Sequence, residues 1–326
     1  MDPPFVPGAY VTVFSDNFES YVSGHTPLDK NYAGGNAAPN GSGNPWFGPF
    51  PPNAYVVGAE SGVTPHSGTN ALTGDGIPYD GDENWYNLAY RLRGGQVFQG
   101  NCMLDWWFYD PSGSGDTTFA DYVALAYYNT APGNTDYPGA GSLNSSTQVQ
   151  RLSLGAAINQ SDNPGPGSLF DSSLYQARVV GGVYDYAYGW RNTTTARGIG
   201  WHHGRIILGS PLPDGTAPVY YYIDDMVTPT TVGNSATTWG FNVIEINLQT
   251  SATTGWMDDV SFALAVPPNL TVNKAGSSAT LTWPGSGWTL QSASTVNGAW
   301  TDVSGAGSGY TYDTTTSSQQ YFRLRN

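Results

Sequence analysis

Met103-Leu104-Asp105-Trp106-Trp107-Phe108-Tyr109 and Trp201-His202-His203-Gly204-Arg205-Ile206-Ile207-Leu208 decide the reading of this chain. Both are bulky and β-prone, and neither keeps the i, i+3, i+4 spacing of an amphipathic helix. In an extended chain successive side chains project to opposite faces. Trp106 and Phe108 then face one way, and Trp107 and Tyr109 the other. Similar runs recur at Ala54–Ala59, Trp85–Leu92, Tyr122–Tyr128, Arg151–Ala157, Tyr175–Val180, Val183–Trp190, Val219–Ile223, Trp239–Leu248 and Trp256–Leu264, mostly separated by Gly, Pro, Asn, Asp or Ser clusters. Many short strands with turn signals between them predict an all-β sandwich.

Composition agrees. The 326 residues include 42 Gly, 23 Pro and 14% aromatics, but only 11% charged residues. Long helices need charged, straight-chain residues on their outer faces, and these are scarce. Short helical turns near Asp16–Tyr21 or Asp171–Tyr175 stay open. The formal net charge is −14, and Lys30 and Lys274 are the lysines. That balance disfavours nucleic acid and anionic polysaccharides, and suits neutral ligands or cations. Cys102, the one cysteine, reads as a buried core thiol. No apolar run approaches a membrane span. Met1-Asp2-Pro3-Pro4 lacks the basic and apolar segments of a signal peptide, so a leader has been removed or export takes another route. The Asn-, Thr- and Tyr-rich polar surface nonetheless points to an extracellular or cell-surface address.

A boundary is expected at Val266-Pro267-Pro268-Asn269. Residues 1–265, opening on a Pro-rich arm, form a large jelly-roll β-sandwich. Residues 269–326 form a small C-terminal β-sandwich of half-buried strands.

The hairpin Trp201–Leu208 with Tyr220-Tyr221-Tyr222-Ile223-Asp224-Asp225 resembles the centre of laminin-G-like, concanavalin-type jelly rolls. Asp225 stands where that family usually has Gly. Gly255-Trp256-Met257-Asp258-Asp259-Val260 is similar to its closing strand. Asp16-Asn17-Phe18-Glu19, taken with Asp258-Asp259, also resembles jelly-roll carbohydrate-binding modules whose first and last strands share a structural Ca²⁺. The resemblance implies calcium on Asp16, Glu19, Asp258 and Asp259, a set of hard oxygens suited to that ion. Leu281-Thr282-Trp283-Pro284, Leu290-Gln291-Ser292, Trp300-Thr301-Asp302-Val303 and Tyr321-Phe322-Arg323-Leu324-Arg325 resemble a fibronectin-III-like accessory module of exported bacterial proteins, notably of Verrucomicrobia-like lineages.

No catalytic constellation is legible. Glycoside hydrolases of the concanavalin type carry paired acids on one strand. None of Glu19, Glu60, Glu83 and Glu245 is followed two residues later by Asp. His202 and His203 point to opposite faces of one strand, so they do not share a metal easily. No G-x-S-x-G elbow exists. The acid-dense Gly74–Glu83 loop is a candidate for a second cation.

The aromatic faces carry the functional expectation. Tyr184, Tyr186, Tyr188 and Trp190 share one face of their run, and Trp107 and Tyr109 share another. Such rings stack on neutral sugars. The expected function is a non-catalytic, extracellular carbohydrate-binding protein with a structural calcium. One alternative is a self-assembling surface or filament protein whose N-terminal arm adds a strand to a neighbour. Another is a polysaccharide-active enzyme using Asp105 or Asp185.

Overall fold

Burial alternates strictly along β6 (Cys102–Asp110). Leu104, Trp106 and Phe108 are sealed inside, while Asp105, Trp107 and Tyr109 are half-buried on the other face. That strand is central to the first of two large sheets. The computed structural model describes residues 10–27, 46–47, 54–74, 88–92, 96–114, 120–128, 148–156, 171–178, 190–212, 214–236, 240–249, 255–284, 288–317 and 319–325. Among these residues there is no α-helix.

The first sheet has eight strands. Its order is β13 (Thr231–Ala236), β12 (Thr216–Ile223), β11 (Gly200–Leu208), β6, β15 (Trp256–Ala265), β4 (Ala71–Gly74) and β3 (Ala54–Val57), with β1 (Tyr10–Asp16) also on β15. The second has seven: β10 (Trp190–Ala196), β9 (Leu174–Arg178), β8 (Gln148–Ala156), β7 (Ala120–Tyr128), β14 (Val243–Gln249), β5 (Leu88–Arg91) and β2 (Trp46–Phe47). All neighbours in both run antiparallel. The chain is an all-β jelly-roll sandwich. Leu104, Trp106, Ile206, Tyr221 and Phe262 of the first sheet share one core with Val123, Leu125, Leu154, Ile244 and Ile246 of the second. Each such side chain contributes roughly 1.5–3 kcal/mol by leaving water.

The expected hairpin is β11–β12, with Gly204 opposite Ile223 and Leu208 opposite Val219. First and last strands of the sandwich lie together, Tyr10 opposite Ala265 through to Asp16 opposite Val260. Asp16–Tyr21 is a strand end running into a turn, not a helix. The short or Thr-rich strands β2, β4 and β13, and most of β10, carry no alternation in the sequence that marks them as strands.

At one end the sheets are tied by a buried ion pair. Arg197, just beyond β10, donates from Nε to Asp110 Oδ2 at 2.9 Å and from Nη2 to Oδ1 at 3.2 Å. Both side chains are buried. Asp121 lies close by on β7, buried, its two oxygens without a hydrogen-bond partner among the described residues. Burial, reinforced by Asp110 and opposed by Arg197, raises its pKa well above the usual carboxylate range. A raised folded-state pKa stabilises at low pH, and that contribution is lost as pH climbs through it. Asp121→Asn should therefore flatten the decline in stability from acid to alkaline pH. Urea unfolding across that range checks this; identical pH profiles for the two proteins would contradict it.

Beyond the sandwich, β16 (Thr271–Ala275), β17 (Ser278–Thr282) and β20 (Tyr310–Asp313) form one three-stranded sheet; β19 (Thr301–Asp302), β18 (Thr289–Ala293) and β21 (Tyr321–Arg325) form another. They enclose Leu281, Trp283, Trp288, Leu290 and Leu324, with Tyr10 and Ala265 packed beside them. The motif residues knit the second of these sheets. Gln291 Nε2 donates to Asp302 Oδ1 at 2.7 Å and Gln291 Oε1 accepts from Arg323 Nε at 2.8 Å, while Arg323 covers the Trp300 ring.

The N-terminal arm, the acid loop beyond Gly74, and Tyr184, Asp185, Tyr186 and Tyr188 lie outside the described residues.

Candidate functional site

The second sheet has its core on one face, so its other face is the outer one. Directly opposed residues of antiparallel strands point to the same side. Register then sets out three rows on that outer face. One runs Arg91, Val243, Ala126, Arg151 across β5, β14, β7 and β8. The next runs Ala89, Glu245, Ala124, Ser153. The third runs Asn247, Tyr122, Gly155, Gln176, Asn192 into β9 and β10. Arg178, opposite Trp190, adds a further guanidinium.

This face does not resemble a solvated sheet surface. Tyr122, Arg151, Ser153, Gln176, Arg178, Glu245 and Asn247 are all buried. Arg151 Nε lies 2.7 Å from Glu245 Oε2, with 3% and 1% of the two side chains exposed. The Tyr122 hydroxyl accepts from Arg151 Nη2 at 3.3 Å and from Asn247 Nδ2 at 3.2 Å. The Arg151 guanidinium also lies over the Tyr122 ring, and the Trp190 ring meets that ring edge-on. Burial raises the Tyr122 phenol above its ordinary pKa; Arg151 opposes this and Glu245 adds to it. The phenol is neutral and able to donate or accept. Small residues, Ala89, Ala124, Ala126, Ser153 and Gly155, sit between the large polar ones. Gly155 is required by close approach: its φ is +148°, and a Cβ there would lie 2.1 Å from the Asp121 carbonyl oxygen.

The outer face of the first sheet carries a second cluster. Asp258 and Asp259 would face opposite ways on a regular strand. Asp259 instead has φ 51°, and the β15–β6 register shifts between Asp258 and Ser261. This bulge turns both carboxylates toward the loop after β3. Asp259 Oδ2 lies 2.8 Å from His66 Nδ1, and its Oδ1 accepts from Ser67 Oγ at 2.8 Å. Asp258 Oδ2 accepts from the Ser67 N–H at 3.0 Å. One ligand atom each from His66, Asp258 and Asp259 lie within 4.8 Å of one another. Burial pushes the Asp258 carboxyl up to about 7, with Asp259 and Glu19 adding to the effect. These three residues form a candidate cation site.

Glu19 borders that cluster without joining the three. Burial acts to raise its pKa, but the Asn70 and Thr69 backbone N–H groups and the Thr69 hydroxyl hold it below the ordinary range. Its carboxylate rests on Gly68, where φ is +59° and a Cβ would lie 2.4 Å from Oε1. Asp16 departs from the expected set. Opposite Val260, it faces the interior, where its carboxylate accepts from Phe18 N at 2.9 Å, Tyr21 Oη at 2.7 Å and Trp46 Nε1 at 3.0 Å. Strand alternation thus separates Asp16 from Asp258.

The expected aromatic residues that fall among the described ones do not form one surface. Trp190 lies beside Tyr122 on the second sheet, whereas Trp107 and Tyr109 lie on the outer face of the first, across the sandwich. Trp107 stacks with His66 at 3.7 Å and with His203 at 4.7 Å. These imidazoles, from the β15 and β11 sides, engage the ring a sugar would need. Tyr109 packs against the Trp201 edge. His203 and Arg205 both reach Asp105, which is thereby held as an ion-pair partner. His202 faces the other way and bonds Asp224 and the Gly198 carbonyl.

No protein-family model matches the chain. No curated protein matches it. Among solved structures, it is similar to an endo-β-1,4-glucuronan lyase from the fungus Trichoderma reesei, at 12% identity and a TM-score of 0.39, covering 67% of this chain and 94% of that one. It is also similar to the cellulose induced protein Cip1, at 13% identity and TM-score 0.40, over 76% and 96% of the two chains. A third is the exoplasmic/lumenal domain of VIP36 in a Ca²⁺/Man2-bound form, at 11% identity and TM-score 0.35, over 68% and 84%. No residue role passes from these proteins to this chain.

Proposed function

We propose that this protein is an extracellular carbohydrate-binding protein whose sugar site is the outer face of the seven-stranded sheet. One observation carries the reading: hydrogen-bonding and aromatic side chains from β5, β7, β8, β9, β10 and β14 gather on a face that the interior does not use, and nearly all are buried. Sugar sites combine aromatic faces with a few fixed polar groups. Trp190 and Tyr122 supply the rings, and Asn247 and the guanidiniums supply the polar groups; Gln176 Nε2 donates to the Asp171 and Leu174 carbonyls. The test is a glycan array with Ca²⁺ present. Binding should be seen, and Tyr122→Ala with Asn247→Ala should weaken it at least tenfold. An array without hits defeats the reading.

His66, Asp258 and Asp259 hold a structural cation, calcium in this reading. Two carboxylates and the Ser67 hydroxyl offer hard oxygens, and Asp258 is raised by burial first and by the Asp259 charge second. Calcium at a hundred times its Kd would add about 2.7 kcal/mol of stability. A melting temperature indifferent to both chelator and added calcium removes it from the proposal.

The polysaccharide-active alternative has one observation behind it. The Tyr122 hydroxyl sits between Arg151 and Asn247, where a phenol can exchange a proton with a bound sugar. Reducing-sugar release that disappears in Tyr122→Phe would support an enzyme; no release from a polysaccharide panel counts against it.

A further inference from the structure

We infer that His202 is an imidazolium in the folded protein at neutral pH and acts as a pH-operated latch, clipping the crossover between the two sheets to the turn after the β11–β12 hairpin and releasing it when alkaline pH removes the proton. His202 lies on the inward face of β11, opposite Phe108, with its ring against Phe108 and Tyr175. Only 13% of its side chain is exposed. Its Nδ1 lies 2.8 Å from Asp224 Oδ2, and its Nε2 lies 2.8 Å from the Gly198 carbonyl oxygen.

Both partners are acceptors. A carbonyl oxygen has no proton to give. The Asp224 carboxylate stays ionised: burial acts to raise its pKa, but the bonds from His202 and the His203 N–H hold it below the ordinary range. A neutral imidazole carries one N–H and one lone pair. In either tautomer one nitrogen would turn its lone pair on an oxygen 2.8 Å away. The doubly protonated ring satisfies both contacts. Burial alone lowers the pKa of His202; the bonds to Asp224 and Gly198, with the charges of Asp224 and Asp110, carry it above the ordinary 6.5.

The other groups around the ring have partners of their own. Arg197 is engaged with Asp110, which also accepts from the Tyr175 phenol, kept protonated by burial. Asp121 faces that pair from β7. His203 points to the opposite side of the strand, where it and Arg205 share Asp105. Asp225 is turned to the Val227 and Thr228 N–H groups. The latch joins two segments. Residues 197–199 carry the chain from β10 of the second sheet to β11 of the first. Residues 224–227 begin at Asp224 in a left-handed conformation, φ 61°. Arg197 anchors the crossover at every working pH, and His202 adds an anchor that titrates. A histidine whose pKa rises on folding stabilises fully below its unfolded value and loses that contribution as pH climbs through the folded one. The latch is therefore shut in acid and opens on the alkaline side.

Asp121 also makes stability fall as pH rises, so the test reads the site and not global unfolding. The intact protein, labelled with ¹³C at histidine Cε1 and with ¹⁵N, is titrated from acid to alkaline pH by nuclear magnetic resonance. His202, identified as the signal missing from His202→Gln, should titrate above a blocked histidine in free solution, with both ring nitrogens protonated at pH 7. The amides of residues 198–200 and 224–227 should shift with that midpoint. Corrected for intrinsic base catalysis, they should exchange about tenfold faster or more above it. Asp224→Asn supplies the second arm. Its side-chain N–H can donate to Nδ1 of a neutral ring while Nε2 keeps its proton for Gly198, so both segments should stay protected through the alkaline range. A His202 midpoint at or below that of free histidine overturns the inference. So does a raised midpoint without movement of those amides, or an Asp224→Asn protein that opens as the wild type does.

Discussion

Arg197→Met is expected to cost about 3–5 kcal/mol of unfolding free energy at pH 7, a third or more of the stability of an ordinary domain. Asp110 accepts two bonds from Arg197, together with the Ser112 and Gly113 backbone N–H groups and the Tyr175 hydroxyl. The backbone donors and the phenol are neutral. Without the guanidinium a full negative charge stays between the sheets, facing the buried Asp121. The cost is that of the stranded charge, more than of lost packing, since Met keeps much of the apolar stem. One consequence separates this account from a simple packing defect. Asp110→Asn in the Arg197→Met background should restore a large part of the loss. Urea unfolding followed by tryptophan fluorescence at pH 7 measures it. A loss below about 1 kcal/mol, or one indifferent to Asp110→Asn, would show that the pair is not the tie between the sheets.

Much of the framework was legible because it is local. The alternation in Cys102–Asp110 appears directly as alternate burial, and Asp225 holds the turn after the hairpin by accepting from the Val227 and Thr228 N–H groups. The meeting of Asp16–Glu19 with the 258–260 segment was legible through resemblance. What a carboxylate does there was not, since one bulge at Asp259 and one interior-facing register at Asp16 decide it. The polar face was hidden for a stronger reason. Arg91, Arg151 and Arg178 lie far apart in sequence, each among ordinary strand residues. The β8–β9 pairing sets Arg151 and Arg178 on adjacent strands, the insertion of β14 between β7 and β5 brings Arg91 into the same sheet, and pairing order is a non-local property. Rings attracted the sequence reading because stacked aromatics are visible locally; the arginine-lined floor exists only after the sheet is assembled. His66 gave one weak signal, a histidine in a short Gly- and Ser-containing loop between β3 and β4.

Glu245→Met should be as costly as the loss of Arg197, about 3–5 kcal/mol, because it takes the Glu245 carboxylate away from the buried Arg151 guanidinium. The two ion pairs should part company when both partners are replaced. Apolar substitution of a whole buried pair is often neutral or stabilising, since the desolvation of both charges is relieved at once. Arg151→Met with Glu245→Met should therefore regain most of the stability lost in Glu245→Met alone. Glycan binding should not return, because the double variant has lost the guanidinium and the support it gives to the Tyr122 hydroxyl. A stable double variant that binds nothing would mean that the pair is kept for its ligand, with the sandwich able to fold without it. A double variant no more stable than Glu245→Met would place the pair among the contacts that build the sheet. If that double variant still bound glycan with wild-type affinity, the outer face of the seven-stranded sheet would not be the site at all.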